Sequence, residues 1–165
     1  PLSVGRINGG YVMGSETCAL NTVGADLHWE VGPGEMVVCD FDSVERITLV
    51  EEPKRKTDIF EFVYFARPDS YLMGRSVYQA RWSSGYELAR ENNIEADMVV
   101  PVPETSVPSA VGYAKYSGIP LEMALVKNRY IHRTFIEPDQ HTRELGVLLK
   151  LNVLPSVVKL SLIHI

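Results

Sequence analysis

Two short loops contain the residues that are best suited to chemistry. The first is 103–106, Pro-Glu-Thr-Ser, where the pattern of a buried strand ends and that of a helix begins. Small hydroxylated residues at such a junction let backbone N–H groups and the helix N-terminus face an anion. The Thr105 hydroxyl can also bind Mg²⁺, which prefers oxygen ligands and is often shared with substrate phosphates. The alternative is an ordinary N-cap turn, since Ser and Thr begin many helices.

The second loop, 127–135, follows the next buried-strand pattern and combines cations with aromatic side chains. Its cations are Lys127, Arg129 and Arg133, and its aromatics are Tyr130 and Phe135. Arg and Lys can neutralise phosphate oxygens, and the aromatics can cover a sugar. From spacing alone, a solvated basic loop is an equal alternative. The turn at 103–106 favours function, because ligands of an open parallel sheet bind beyond the carboxyl ends of its strands.

The elements that must position these loops alternate between helix and strand from residue 76 onward. Ser76 can begin a helix, and Gly118 can end another. The pattern predicts helices over 76–92 and 106–116, strands over 97–103 and 121–126, and a last helix from 138–139 with Leu145, Leu148 and Leu149 facing inward. Helices between buried strands predict a parallel α/β sheet with right-handed crossovers.

The first third of the chain has the pattern of short strands on tight turns. The predicted strands are 10–13, 25–31, 35–41 and 44–50, with a helical turn from Ser15 to Leu20. The last three of these strands predict an antiparallel meander. The charged run 51–56 indicates a domain boundary or connector. The apolar run 59–66 predicts a further strand, which ends at the turn 67–70.

Composition limits the classes of function. The chain has 165 residues, 45% of them hydrophobic and 22% charged, which is typical of a soluble globular protein and allows one domain or parts of two. A net charge of −5 argues against nucleic acid or a membrane surface as partner. No secretory signal or spanning segment is visible, and two cysteines without a framework predict a reducing, cytoplasmic setting. Because the first residue is Pro1, we expect that the chain was processed or that its beginning is missing.

Other polar and aromatic residues are weaker candidates. The histidines lack metal-ligand spacing, which argues against zinc. Cys18 and Cys39 lie among apolar residues and are predicted to be buried thiols. Asp40 and Asp42 flank a turn, and we expect them to form it rather than act as a catalytic pair. The aromatics Phe60, Phe62, Tyr64 and Phe65 are predicted to form core and interdomain packing.

Several stretches closely resemble the amidophosphoribosyltransferase family. They are SETCALNTVGA (15–25), PGEM (33–36), FEFVYFARPDS (60–70), EADMVVPVPET (95–105), SGIP (117–120), KNRY (127–130) and RTFI (133–136). They occur in the family's order, and the resemblance extends from about Pro1 to about Val158.

The resemblance implies a protein of two fold types. An α+β glutaminase domain of the N-terminal-nucleophile type would contribute its last strands at 1–55, and 56–75 would be a junction. Residues 76–158 would be the first half of a type I phosphoribosyltransferase α/β domain, and 159–165 would be a tail unlike the family. The implied reaction converts phosphoribosyl pyrophosphate, glutamine and water to 5-phosphoribosylamine, glutamate and pyrophosphate, which is the first step of de novo purine synthesis. Its partners are these small molecules and glutamine-derived ammonia, and the parent enzyme is expected to be a homo-oligomer.

The resemblance also carries roles onto particular positions. Thr105 matches the magnesium-contacting position of the pyrophosphate loop, and Glu104 and Ser106 belong to that loop. Residues 127–135 match the flexible loop that closes over the substrate, excludes water and helps to form the ammonia channel. Lys127, Arg129, Tyr130 and Arg133 are therefore expected to bind substrate, with Mg²⁺ as cofactor.

The departures from the family predict a fragment. The nucleophilic cysteine and the glutamine-binding residues would precede Pro1, and an aspartate pair would follow Val158. We therefore expect no catalytic residue within these positions and no activity of the piece alone. Asp58 replaces a cysteine that is common in the family, so no iron–sulfur cluster is expected, because a carboxylate is a poor substitute for a thiolate ligand. His132 stands where the family usually has glycine, and its Cβ can restrict the loop.

Two other functions remain open at this point. A free-base phosphoribosyltransferase would keep the two loops, but the antiparallel meander and FEFVYFARPDS argue against it. A non-catalytic binding or regulatory module derived from the enzyme would not require the aspartate pair.

Overall fold

The computed structural model describes residues 1–40, 43–92, 94–130 and 139–159. The chain divides into two compact units, Pro1–Ala80 and Arg81–Ile165. The architecture is mixed α/β with small sheets. Within the described ranges, no helix is long and apolar enough to cross a bilayer. The domain limits that the sequence indicated, near residues 55 and 75, stay predictions.

The first unit begins with a three-stranded antiparallel sheet. Its strands are β1 (Ser3–Ile7), β2 (Gly10–Gly14) and β3 (Asp26–Glu30), in the order β2-β1-β3, with helix α1 (Thr17–Thr22) between β2 and β3. Asn8 and Gly9 both have positive φ, 49° and 82°, as a two-residue hairpin turn requires. Leu20 is fully buried, and its Cδ2 would lie 3.1 Å from a Cβ on Gly5, so α1 packs tightly on the central strand.

This sheet differs from the predicted meander. The central strand β1 was not predicted. It pairs directly with β3, which follows α1 in the chain. The strands β4 (Glu35–Cys39) and β5 (Val44–Thr48) form a separate hairpin. Phe41 and Asp42, which belonged to the predicted strand and turn, lie outside the described residues. Helix α1 takes Glu16 rather than Ser15 as its N-cap residue.

The hairpin of β4 and β5 is fixed by a charged contact. The Arg46 Nε donates a hydrogen bond of 2.8 Å to Glu35 Oε1, and the Gly32 N–H donates one of 2.6 Å to Glu35 Oε2. The hydrogen bond from Arg46, followed by that from Gly32, holds the pKa of Glu35 below its usual range.

The predicted strand over 59–66 is wrong, because Glu61–Phe65 is a π-helix. Asp58 begins the turn by accepting a hydrogen bond of 2.9 Å from the Phe60 N–H, and the Ala66 N–H donates to the Glu61 carbonyl at 3.0 Å. These local hydrogen bonds override the β preference of the aromatic run.

The π-helix buries one face only. Phe62 and Ala66 form a buried cluster with Leu72 and Val77. The remaining aromatics of the run are exposed, Phe60 by 58%, Tyr64 by 62% and Phe65 by 68%. Core packing was therefore predicted correctly for Phe62 alone among the four aromatics.

A tight hairpin leads into the longest helix of the described chain. Its strands are β6 (Tyr71–Leu72) and β7 (Arg75–Ser76), and helix α2 spans Val77–Glu91. The Gln79 N–H donates to Ser76 Oγ at 3.2 Å, which confirms the predicted cap.

In the second unit, α2 and helix α3 (Val107–Ser117) approach through glycines. A Cβ on Gly85 would lie 1.8 Å from the Ser109 carbonyl oxygen, and one on Gly112 would lie 2.0 Å from that of Trp82. Tyr86 stacks on Trp82 with ring centroids 5.2 Å apart. Helix α3 ends at Gly118, whose φ of 75° confirms the predicted stop.

Parallel pairing in the described chain is confined to one bridge, between Val99 and Leu121. The Val99 N–H donates to the Pro120 carbonyl at 2.7 Å, and the Glu122 N–H donates to the Val99 carbonyl at 3.0 Å. The predicted strand over 97–103 is reduced to this bridge, because Pro101 and Pro103 have no N–H to donate to a ladder.

The remaining elements pair differently from the prediction. Strand β8 (Leu125–Lys127) is antiparallel to β9 (Leu151–Val153), and helices α4 (Gln140–Lys150) and α5 (Pro155–Val158) flank β9. Asp139 is the N-cap residue of α4 and accepts from the Thr142 N–H at 2.8 Å. The leucines predicted to face inward are exposed, Leu145 by 49%, Leu148 by 71% and Leu149 by 51%.

Candidate functional site

The first predicted loop, 103–106, is a turn that leads directly into α3. Ser106 is the N-cap residue, but its hydroxyl donates backwards to the Val102 carbonyl at 2.6 Å instead of capping the helix. The Val107 N–H donates to the Glu104 carbonyl at 3.3 Å, which closes the turn. The N-cap alternative is therefore correct in that Ser106 is the N-cap residue. It is wrong in that the Ser106 side chain does not cap the helix. The peptide bond between Pro103 and Glu104 is cis.

The side chains of this turn offer oxygen atoms to a ligand. Thr105 is partly buried and Glu104 is exposed. In the described part of the chain, no side-chain hydrogen bond engages the Thr105 hydroxyl, and no cluster of three or more His, Cys, Asp or Glu residues could hold a metal ion. A magnesium ion here would fit as an ion held by Thr105 together with substrate phosphates and water, which is the usual arrangement for this cation.

The second predicted loop starts where β8 ends. Lys127 is the last residue of β8 and is partly buried, whereas Arg129 and Tyr130 are exposed, Tyr130 by 92%. Arg133 and the rest of 131–138 lie outside the described residues. Asn128, which the sequence did not single out, forms hydrogen bonds to the end of α4 and to Tyr130.

The segments that precede the two loops are joined by the parallel bridge between Val99 and Leu121. At this bridge the two segments run in the same direction. The expectation that both loops lie at the carboxyl ends of neighbouring strands stays a prediction. Among the residues that the structure describes, no hydrogen bond or ion pair joins one loop to the other.

Beyond the second loop, the N-cap residue of α4 is Asp139, a carboxyl group with a lowered pKa. The Thr142 hydroxyl donates to Asp139 Oδ2 at 2.5 Å, in addition to the capping bond from the Thr142 N–H. The side-chain hydrogen bond, followed by the backbone one, holds the pKa of Asp139 below its usual range. Asp139 is therefore a charged cap where the chain enters α4.

Known proteins share this chain's sequence and structure over nearly all of its length. The amidophosphoribosyltransferase of Mycobacterium bovis is 50% identical over 159 residues, 96% of this chain and 30% of the relative. That of Archaeoglobus fulgidus is 45% identical over 159 residues, 96% of this chain and 35% of the relative. The glutamine phosphoribosylpyrophosphate amidotransferase of B. subtilis, solved in complex with ADP and GMP, superimposes with a TM-score of 0.87 at 43% identity, covering 98% of this chain and 35% of that one. No protein-family model matches the sequence.

The chain is similar, over 96% of its length, to part of the amidophosphoribosyltransferases. It spans 30% to 35% of the length of these two curated relatives. The resemblance inferred from the motifs is thereby confirmed.

Outside the two loops, the other candidate residues make structural contacts. The Asp40 N–H donates to the Ser43 carbonyl at 2.9 Å, in agreement with a role in the turn. The His28 ring lies 4.7 Å from that of Trp29 in an edge-on contact. Cys18 is buried as predicted, but Cys39 is exposed near the end of an edge strand, so the prediction of a buried thiol was wrong there.

Proposed function

We propose that this chain is part of an enzyme that converts phosphoribosyl pyrophosphate, glutamine and water to 5-phosphoribosylamine, glutamate and pyrophosphate. The observation that carries the proposal is the identity of 50% over 96% of the chain to an amidophosphoribosyltransferase. We further propose that 1–55 belong to the glutaminase domain, 56–75 to the junction and 76–158 to the phosphoribosyltransferase domain.

In this proposal the turn 103–106 binds the pyrophosphate group. The backbone of Glu104, Thr105 and Ser106 lies at the beginning of α3, where N–H groups favour an anion. The Thr105 hydroxyl would hold Mg²⁺, and the ion would supply positive charge to the leaving pyrophosphate. Ammonia attacks the anomeric carbon of the ribose, and the bond from that carbon to the pyrophosphate oxygen breaks.

The basic segment after β8 neutralises and covers the same substrate. Lys127, Arg129 and Arg133 are proposed to pair with phosphate oxygens. Tyr130, which is 92% exposed, is proposed to close over the sugar and to exclude water, so that ammonia rather than water reaches the ribose.

The remaining properties are proposals of the same kind. We propose a homo-oligomeric enzyme without an iron–sulfur cluster, since Asp58 uses its carboxylate to begin the turn before the π-helix. A cytoplasmic location is proposed because both cysteines are free thiols.

The test uses the full-length protein that contains this chain. We expect Arg129→Ala and Tyr130→Ala to uncouple the two reactions: glutamine is still hydrolysed, but less of the ammonia becomes phosphoribosylamine. The measurement is the ratio of glutamate to phosphoribosylamine at saturating substrate. Lys115→Ala, which removes an exposed cation from α3, is the matched control and should keep the ratio of the wild type.

Two results would contradict the proposal. If the wild-type protein releases no pyrophosphate from phosphoribosyl pyrophosphate with glutamine or ammonium salt, the proposed reaction is wrong. If Arg129→Ala and Tyr130→Ala both keep the ratio near one-to-one, the segment is a solvated basic surface.

A further inference from the structure

Asn128 uses both ends of its side-chain amide. Its Oδ1 accepts a hydrogen bond of 3.0 Å from the Tyr130 N–H, and its Nδ2 donates one of 3.2 Å to the Leu149 carbonyl. Its backbone N–H also donates to the Lys150 carbonyl at 2.7 Å. Three hydrogen bonds therefore converge on the residue that lies between Lys127 and Arg129.

The acceptors of Asn128 lie at the C-terminal end of α4. The last carbonyl groups of a helix have no donor within the helix, and they need partners from elsewhere. Asn128 supplies two donors to this end from a different part of the chain. The start of the basic segment is thus attached to the end of the helix that follows it in sequence.

The contact with Tyr130 has a second effect on the backbone. An Asn side chain that accepts from the N–H two residues later forms an Asx turn, which redirects the chain as it leaves a strand. Arg129 lies inside this turn, and both Arg129 and Tyr130 are exposed to solvent. Asn128 therefore restricts the backbone beneath an exposed cation and an exposed aromatic ring. Groups that are held in place before binding lose less conformational entropy when a ligand arrives.

We propose that Asn128 is a positioning residue for substrate binding, which presents Arg129 and Tyr130 through its bonds to Leu149 and Tyr130. The proposal rests on the function proposed above for the basic segment. Asn128 itself contacts protein atoms, so its effect is on the geometry of its neighbours.

The test compares three variants of the full-length protein. Asn128→Ala removes both side-chain bonds, and Asn128→Asp keeps the acceptor for Tyr130 but loses the donor to Leu149. Asn152→Ala is the matched control, because Asn152 is an exposed amide on β9, opposite Val126 in the antiparallel pair of β8 and β9. The measurements are kcat and the KM for phosphoribosyl pyrophosphate with ammonium salt as nitrogen source, together with thermal unfolding and amide hydrogen exchange of the Tyr130 N–H.

We expect Asn128→Ala to raise the KM about tenfold, which corresponds to about 1.4 kcal/mol, and to change kcat less than about twofold. The Tyr130 N–H should exchange faster in Asn128→Ala than in the wild type. The KM of Asn128→Asp should lie between those of the wild type and Asn128→Ala, and the KM of Asn152→Ala should equal that of the wild type.

The outcomes separate this inference from the function on which it rests. An inactive wild type contradicts the proposed function and this inference with it. An active wild type with an Asn128→Ala KM equal to that of Asn152→Ala contradicts the inference alone. A loss confined to kcat and thermal stability would also contradict it, because that pattern indicates a merely structural residue. If Asn128→Ala does not fold, a KM of Asn128→Asp equal to that of the wild type would overturn the inference.

Discussion

Gly112 lies so close to Trp82 that a Cβ on the glycine would be 2.0 Å from the Trp82 carbonyl oxygen. In the same way, a Cβ on Gly85 of α2 would lie 1.8 Å from the Ser109 carbonyl oxygen of α3. Since both obstacles are backbone atoms, neither can move aside as a flexible side chain would. The two glycines therefore set the separation of α2 and α3, and with it the position of the turn that begins α3.

We expect Gly112→Ala to destabilise the protein by about 1–3 kcal/mol, the usual cost of overpacking, although Ala is the better helix former. The change is measured by urea unfolding. The control is Gly10→Ala, where the new Cβ would lie 3.6 Å from the Ile7 carbonyl oxygen, an ordinary contact. Equal stability of the two variants would show that the helices can separate without cost.

Glu16 holds the turn that precedes α2. Its Oε2 accepts hydrogen bonds from the Arg67 N–H at 2.8 Å and from the Ser70 hydroxyl at 2.7 Å, and Ser70 is fully buried. Glu16→Ala should cost about 1–3 kcal/mol, because it leaves the buried hydroxyl without its partner. Glu16→Gln should cost less, since it retains an acceptor, and Glu45→Ala serves as an exposed control. Equal urea midpoints for Glu16→Ala and Glu45→Ala would contradict this role.

The pKa of Asp139 should depend on the Thr142 hydroxyl. In the folded protein this pKa lies below its ordinary value of 3.8. The cap therefore contributes stability above the unfolded pKa and loses it as the pH falls through the folded pKa. Thr142→Ala should raise the pKa of Asp139 toward 3.8, and Thr142→Ser should leave it low. Carboxyl chemical shifts followed by NMR across the acid range measure both, and an unchanged pKa in Thr142→Ala would assign the shift to the backbone instead.

The two thiols should react at different rates. Cys39 is exposed and Cys18 is buried, and access is one condition for thiol reactivity. We expect a maleimide reagent to modify Cys39 rapidly in the native protein and Cys18 only after denaturation. Mass spectrometry of Cys39→Ser and Cys18→Ser assigns the two rates. Rapid native modification of Cys39→Ser would mean that Cys18 is accessible.

The features that the sequence predicted well depend on local chemistry. The cap at Ser76, the beginning of the last helix near Asp139 and the helix stop at Gly118 each follow from one side chain or from its absence. The loop 103–106 was located for the same reason, because a change of pattern from strand to helix is visible in a short window.

The failures concern choices that distant or competing contacts decide. The aromatic run 59–66 has the composition of a strand, but the hydrogen bonds of Asp58 and Glu61 make it helical. The pairing of β1 with β3 depends on the packing of α1 over Gly5. Because these residues are distant in sequence, a short stretch of the chain does not predict this contact. An Asn two residues before an exposed aromatic is compatible with an Asx turn. The role of Asn128 was nevertheless missed, because its second partner, Leu149, is distant in sequence.

The two tryptophans are distributed one to each compact unit, Trp29 in 1–80 and Trp82 in 81–165. Trp29 contacts the His28 ring, and Trp82 stacks on Tyr86 beside the contact of α2 with α3. Their fluorescence thus offers two intrinsic reporters in different environments. With Trp29→Phe and Trp82→Phe, the unfolding of each unit can be observed separately, without an added dye.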